Sequence, residues 1–274
     1  MESVQVSLSD QDDEISKRLV DARLGAKVLP GFPGEIPDSL HQAYGIQFAS
    51  IERWPDKVAG WKIGLLSPAD RQKFSAERLA GPIFDSQIKT IVPDSSNQIQ
   101  IYHGGFAAVE AEFVLEIGVD VPPVDTHFTD EDLKDIVAAL YVGIEIASSP
   151  MADINKLGPP VVVSDFGNNA GLLLGPSVED WRSRSLDSMV AKVFVDGELV
   201  GDASADAIPG GPLQALRFLL GLKASQGMTL PAGTLVSTGA STGIHDVTIS
   251  SRARVEFGAC GGFELTFESV TSKQ

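Results

Sequence analysis

A chain of 274 residues, 43% hydrophobic and 21% charged, carries a formal net charge of -16. The proportions are those of a globular domain, and the acid surplus excludes nucleic acid and anionic membranes as natural partners, since both would repel it. The single cysteine, Cys260, leaves no intrachain disulfide and no cysteine-cluster metal site. No apolar run approaches the ~20 residues of a membrane span. The stretch from Met1 to Glu14 is polar and acidic rather than signal-like, so a cytoplasmic location is expected.

Residues 12–26 have helical spacing, with Ile15, Leu19, Ala22 and Ala26 on one stripe. Pro30, Gly31, Pro33, Gly34 and Pro37 mark a loop. A second helix is predicted from Ser39 to about Arg53. Residues 1–57 thus read as a helical N-terminal region, without functional signal of its own, before a β-rich catalytic domain over 58–274 with which it forms one unit. The run Val58–Leu65 is β-type and places Lys62 between apolar neighbours and glycines. A lysine in that setting is either a usable acid, base or carboxylate ligand, or a side chain that snorkels to water. Pro68 to Arg78 reads as a short polar helix or lid, ended by Gly81-Pro82-Ile83-Phe84.

From Ile88 the signals are mostly β. The stretch Val109–Ile117 alternates apolar residues with Glu110, Glu112, Val114 and Glu116, the period of a strand with one buried face. Glu110 and Glu112 then lie on one side, roughly 7 Å apart along the backbone. Such a pair is a solvated face, or it meets a hard divalent cation that removes the like-charge penalty. Asp130 is predicted to cap a helix to about Tyr141, before an apolar strand, Val142–Ala147, that carries Glu145 between Ile144 and Ile146. An unpaired carboxylate there is expensive. Val161–Gly171 reads as a strand entering a glycine-rich turn, with Asp165 at its end; a helix follows at Pro212–Gln226, and two strands, Arg252–Phe257 and Gly262–Phe267, close the chain.

The ordered segments Gly60-Trp61-Lys62-Ile63-Gly64-Leu65, Gly81-Pro82-Ile83-Phe84, Val109-Glu110-Ala111-Glu112, Ile144-Glu145, Asp165, Gly211-Pro212-Leu213 and Leu235–Gly239 together carry a resemblance. They resemble the 2-keto-4-pentenoate hydratase and 4-oxalocrotonate decarboxylase family of the fumarylacetoacetate hydrolase superfamily, from about Tyr44 to Phe267. The resemblance implies an α+β fold, a mixed β-roll or sandwich with helices packed outside. It implies that Glu110, Glu112 and Glu145 bind Mg²⁺ or Mn²⁺, leaving about three positions on an octahedral ion for substrate and water. It makes Lys62 the candidate for proton transfer or for holding a carboxylate, with Asp165 orienting Lys62 or a water. Leu65, Thr238 and Gly239 are implied to contact the substrate, a small anionic 2-oxo acid, and a homo-oligomer is implied.

The reaction implied first is addition of water to 2-hydroxypenta-2,4-dienoate or a relative. A C–C hydrolase of acylpyruvates comes second, disfavoured because Leu66–Phe84 lacks the histidine of the hydrolase lid; His41 or His103 would have to substitute. A 2-oxo acid decarboxylase and a non-catalytic partner subunit remain alternatives. The chain also departs from the family pattern. Leu79 stands where an acid is usual, Pro150 follows Ser149 where arginine often does, and Phe166-Gly167-Asn168-Asn169 replaces an Asn-Ala-Ser pattern.

Overall fold

Helices α1 (Asp10–Leu24) and α2 (Leu40–Arg53) each begin behind a serine, Ser9 and Ser39, whose hydroxyl accepts the N–H of Asp12 and Gln42. Such caps satisfy donors that the first turn leaves free. The computed structural model describes residues 8–124 and 127–272. After the two helices come β1 (Val58–Leu65), α3 (Pro68–Phe74), β2 (Arg78–Phe84), β3 (Ile88–Thr90), β4 (Ser96–Ile101) and β5 (Phe106–Ile117). Next are α4 (Asp130–Ile136), β6 (Val137–Ser149), α5 (Ile154–Leu157), α6 (Pro159–Ser164), β7 (Asn169–Ser177), β8 (Val190–Val195) and β9 (Glu198–Ser204). The series closes with α7 (Gly211–Ser225), β10 (Leu235–Ser237), β11 (His245–Asp246), β12 (Arg252–Glu256) and β13 (Gly262–Ser269).

One mixed sheet has the order β2-β1-β10-β5-β6-β7-β3, with β11 added against β5. A second has the order β4-β13-β12-β8-β9. The main core lies between them: Val109, Ala111, Phe113, Leu115 and Ile117 of β5 meet Val193, Val255, Phe263 and Leu265 of the second sheet. Each of the larger of these side chains, fully buried, contributes roughly 1.5–3 kcal/mol. The other face of the large sheet is covered too, with Ile83, Val114, Leu172 and Leu235 forming a separate buried cluster. The α+β class with helices outside agrees with the sequence expectation.

Four local expectations are corrected. Strand β5 has no wet face: Glu110, Glu112 and Val114 are as buried as their apolar neighbours, because the large sheet is covered on both sides. Helix α4 stops at Ile136 rather than near Tyr141, and Thr129, not Asp130, is its cap, in a reciprocal box with Asp132. From Val137 the chain pairs with Ile117, so sheet pairing claims what helical spacing had suggested. Val161–Val163 are helical in α6 despite their β-branched side chains. Pro159 and Pro160 suit a first helical turn, and packing against α2 outweighs propensity. Gly81–Phe84 belongs to a full strand, β2, paired along β1 from Leu65↔Arg78 to Val58↔Phe84.

Helix α7 buries one cation. The Lys223 ammonium lies 3.0 Å from the centroid of the Trp61 ring and donates to Gln226 Oε1 at 3.2 Å. Burial pushes its pKa down to about 7. Between that value and the unfolded value near ~10.4 the unfolded chain binds more protons, so stability rises with pH across this window. Lys223→Met is expected to stabilise the fold at pH 7 by about 1–2 kcal/mol and to flatten that rise. Urea unfolding of both proteins at pH 7 and pH 9 measures it; a destabilised variant would mean that the Trp61 contact outweighs desolvation.

Candidate metal centre

Antiparallel pairing sets Glu110 of β5 directly opposite Glu145 of β6, and the two-residue period brings Glu112 to the same face. One oxygen from each of the three carboxylates can be chosen so that all lie within 4.8 Å of one another. All three residues are buried, at 3%, 0% and 0% exposure for Glu110, Glu112 and Glu145. Each also keeps one buried oxygen, Glu110 Oε1, Glu112 Oε1 and Glu145 Oε2, without a hydrogen-bond partner. Buried acceptors left bare are costly. A hard divalent cation supplies what they lack, and an all-oxygen donor set suits Mg²⁺ or Mn²⁺.

Their other contacts orient these acids. Glu112 Oε2 accepts the Ser237 hydroxyl at 2.5 Å and the Gly239 N–H at 3.0 Å. Asn169 Nδ2 donates to Glu145 Oε1 at 2.9 Å. The Lys62 ammonium, on β1, stands 3.3 Å from Glu145 Oε1 and 3.4 Å from Asn168 Oδ1. Burial opposes charge on Lys62, but Glu145, Glu110 and Glu112 outweigh it and raise its pKa. Burial pushes Glu110 up to about 7, with Lys62 opposing and Glu145 adding to the rise; burial and the two neighbouring carboxylates raise Glu112 well above its ordinary value.

Glycines give the Lys62 stem its room. A Cβ on Gly81 would stand 2.2 Å from the Phe166 carbonyl oxygen, and one on Gly167 3.1 Å from Lys62 Cδ. Above the stem, Leu79 is buried, and its Cδ1 lies 3.2 Å from the point that a Gly64 Cβ would occupy, with Lys62 Nζ 4.0 Å from the same point. The residue at the expected acid position is therefore a buried hydrocarbon that belongs to the cluster of Ile15, Leu19, Tyr44 and Leu66.

The remaining candidates fall into different places. Thr238 is buried, and its hydroxyl donates to the Phe113 carbonyl at 2.7 Å, while the Gly239 N–H is spent on Glu112. Leu65 ends β1, 45% exposed, beside a cavity of about 250 Å³ bordered by Arg71, Glu77, Arg78, Pro209, Gly210 and Gln214. Asp165 does not contact Lys62: its carboxylate is held by Arg23 at 2.5 and 3.0 Å and by the Ser149 hydroxyl at 2.6 Å. His41 and His103 are exposed.

Ser237, Asn168, Asn169 and Arg23 were missed as parts of the centre. Ser237 and the asparagines stood within segments singled out for other reasons. Arg23 had one signal, a charge four residues after Leu19 on the buried side of α1.

The fumarylacetoacetate hydrolase C-terminal family pattern matches residues 69–267. The chain belongs to this family of enzymes. It is 26% identical over 234 residues to a 4-oxalocrotonate decarboxylase of a Pseudomonas species, covering 83% of this chain and 87% of that protein. It is equally 26% identical, over 265 residues, to a 2-keto-4-pentenoate hydratase of Paraburkholderia xenovorans LB400, covering 94% and 96%. In structure it resembles the 4-oxalocrotonate decarboxylase of Pseudomonas putida G7, solved in complexes with calcium and acetate and with magnesium and adipate. The TM-score is 0.79 at 21% identity for the magnesium complex, over 94% of this chain and 98% of that one.

Proposed function

We propose that the protein is a Mg²⁺- or Mn²⁺-dependent hydratase acting on 2-hydroxypenta-2,4-dienoate or a closely related monocarboxylic 2-hydroxydienoate. The observation that carries this reading is the set of three buried carboxylates, each with one bare oxygen, gathered beside one buried ammonium. A divalent ion held by Glu110, Glu112 and Glu145 supplies Lewis-acid polarisation of the substrate's 2-oxo group. Lys62 donates a hydrogen bond or a proton where negative charge develops or to the substrate carboxylate. Asn168 and Glu145 fix its direction. The overall change adds one water, with hydroxyl at C4 of the chain and hydrogens at C3 and C5, the dienol oxygen giving up its proton.

Charge favours a substrate with one carboxylate. Lys62 is the cation that acts on Glu110 and Glu112, and the nearby Arg23 is committed to Asp165. With a buried leucine at position 79, where the resemblance leads one to expect an acid, that position offers no polar partner to a second carboxylate. A decarboxylase of a 2-oxo dicarboxylate is the second reading, favoured by Arg71 and Arg78 at the cavity beside Leu65. Those arginines already donate to the carbonyls of Leu66 and Pro209, which weakens it. Acylpyruvate hydrolysis is less favoured, since Leu66–Phe84 carries no histidine and His41 and His103, the proposed substitutes, are exposed. A cytoplasmic location, expected from the polar N-terminal stretch, and a homo-oligomeric state, which rests on resemblance to the family, go with the reading.

The test is incubation with 2-hydroxypenta-2,4-dienoate, 2-hydroxymuconate, 4-oxalocrotonate, maleylpyruvate and fumarylpyruvate, each with Mg²⁺, Mn²⁺ or EDTA and products weighed by mass spectrometry. Gain of one water on the monocarboxylic dienol alone is the expected result. Loss of CO₂ from 4-oxalocrotonate would replace the reading with the decarboxylase, and release of pyruvate with the hydrolase. No metal-dependent change on any substrate would point to a non-catalytic subunit.

A further inference from the structure

We infer that Arg23, on the N-terminal helix and outside the residues matched by the family pattern, is the positioning residue that holds Lys62 and Glu145 in working register. The inference rests on the reading of Glu110, Glu112 and Glu145 as metal ligands beside Lys62. Arg23 touches neither Lys62 nor the glutamates; it acts through the turn that joins α6 to β7.

That turn is conformationally costly. Phe166, Gly167 and Asn168 adopt φ values of 56°, 65° and 58° in succession, and Phe166 and Asn168 lack the freedom of glycine. L-residues visit this region one at a time, and runs of it hold only where the surroundings over-determine them. The result is that Asn168 Oδ1 meets Lys62 Nζ at 3.4 Å and the next residue, Asn169, gives its Nδ2 to Glu145 Oε1 at 2.9 Å. Gly167 in the middle leaves room for the Lys62 stem. A relaxed turn would move both asparagines together.

Arg23 is what over-determines it. Its side chain is 1% exposed and lies 5.5 and 5.2 Å from the ring centroids of Tyr102 and Phe166. Its fork takes both oxygens of Asp165, at 2.5 and 3.0 Å. The same guanidinium donates to the backbone carbonyls of Asn169 at 2.9 Å, Asp165 at 3.0 Å and Ser148 at 3.2 Å. One group thus ties the end of β6, which carries Glu145, to both ends of the left-handed turn. Ser149 completes the clamp on Asp165 at 2.6 Å. Lysine could answer the charge of Asp165 but not this planar set of acceptors.

Arg23→Lys and Ser149→Ala test the inference, read by Mn²⁺ titration without substrate, by kcat and KM at saturating Mn²⁺, and by thermal melting. The expected result is a folded Arg23→Lys protein whose Mn²⁺ affinity falls roughly ten- to a hundredfold, the size seen when groups that orient metal ligands are lost. Its kcat should stay depressed at saturating Mn²⁺ with KM little changed, because Lys62 is displaced as well. Ser149→Ala should show the same pattern at smaller size. A lower melting temperature with wild-type Mn²⁺ affinity and kcat in both variants would make Arg23 merely structural and overturn the inference. Failure of Arg23→Lys to fold, with Ser149→Ala unchanged in affinity and kcat, would overturn it too. Absence of Mn²⁺ binding by the wild-type protein is a separate failure, that of the metal reading, and would remove the inference with it.

Discussion

Glu110→Gln should abolish the turnover that depends on Mg²⁺ or Mn²⁺ while leaving the fold in EDTA at least as stable as the wild type. Among the described residues the Glu110 carboxylate has no hydrogen bond, so the amide breaks none, and Lys62 keeps Glu145 as its partner. A neutral amide oxygen is a poor exchange for a carboxylate on a hard cation. Loss of Lewis-acid stabilisation worth several kcal/mol corresponds to roughly 10³-fold or more in rate. The stability side follows from proton linkage. The Glu110 pKa, pushed up to about 7 by burial, stands above its unfolded value. Ionising it therefore costs the fold stability as pH rises from the unfolded pKa through 7. Glutamine removes that cost, on the order of 1–3 kcal/mol at pH 8 and little at pH 5. Melting in EDTA at both pH values, beside a Mn²⁺ titration, checks both halves. An unchanged titration and retained turnover would sink the three-carboxylate centre.

Lys62→Met should lose activity and apo stability together, and metal should return only the second. The side chain is 5% exposed and is the cation whose field reaches all three glutamates. Removing it leaves Glu145 without its buried ion-pair partner, which typically costs about 3–5 kcal/mol. A bound divalent cation restores positive charge to the same carboxylates, so the gap to wild type should narrow on adding Mn²⁺. Turnover should remain down by roughly 10²–10⁴, the usual contribution of a positioned proton donor. Urea unfolding with EDTA and with Mn²⁺, together with kcat, separates the two effects. Near wild-type kcat would remove Lys62 from the chemistry, and failure to fold even with Mn²⁺ would make it a structural lysine.

What the sequence revealed about this centre tracked the reach of local patterns. Glu110 and Glu112 were visible because a two-residue period puts them on one face, and Glu145 because an acid between isoleucines needs a partner. The resemblance then joined them, and the pairing of β5 with β6 is the contact that does so in space. The same pattern misjudged their burial, since alternation reports one apolar face and is silent on what covers the other. Val161–Val163 were misassigned because β-branched residues in a row look like strand, whereas Pro159–Pro160 and the packing of α2 decide for helix. Asp165 was noticed as an acid near the site, but its partner lies 142 residues away in α1, beyond any spacing rule. The left-handed turn was hidden for a different reason: nothing in Phe-Gly-Asn announces that Phe166 adopts positive φ. Only the surrounding contacts impose it.

The long separation between Arg23 and Asp165 also bears on how the molecule comes to be made. Helix α1 precedes Asp165 by 142 residues, so its arginine cannot take up its ion pair until that much more chain has been made. Long-range contacts of this kind form slowly, because the loop between them has to close first. Strand β10 stands between β1, which carries Lys62, and β5, which carries Glu110 and Glu112, so the lysine and the acids are joined through a strand made after both, and the centre comes together late.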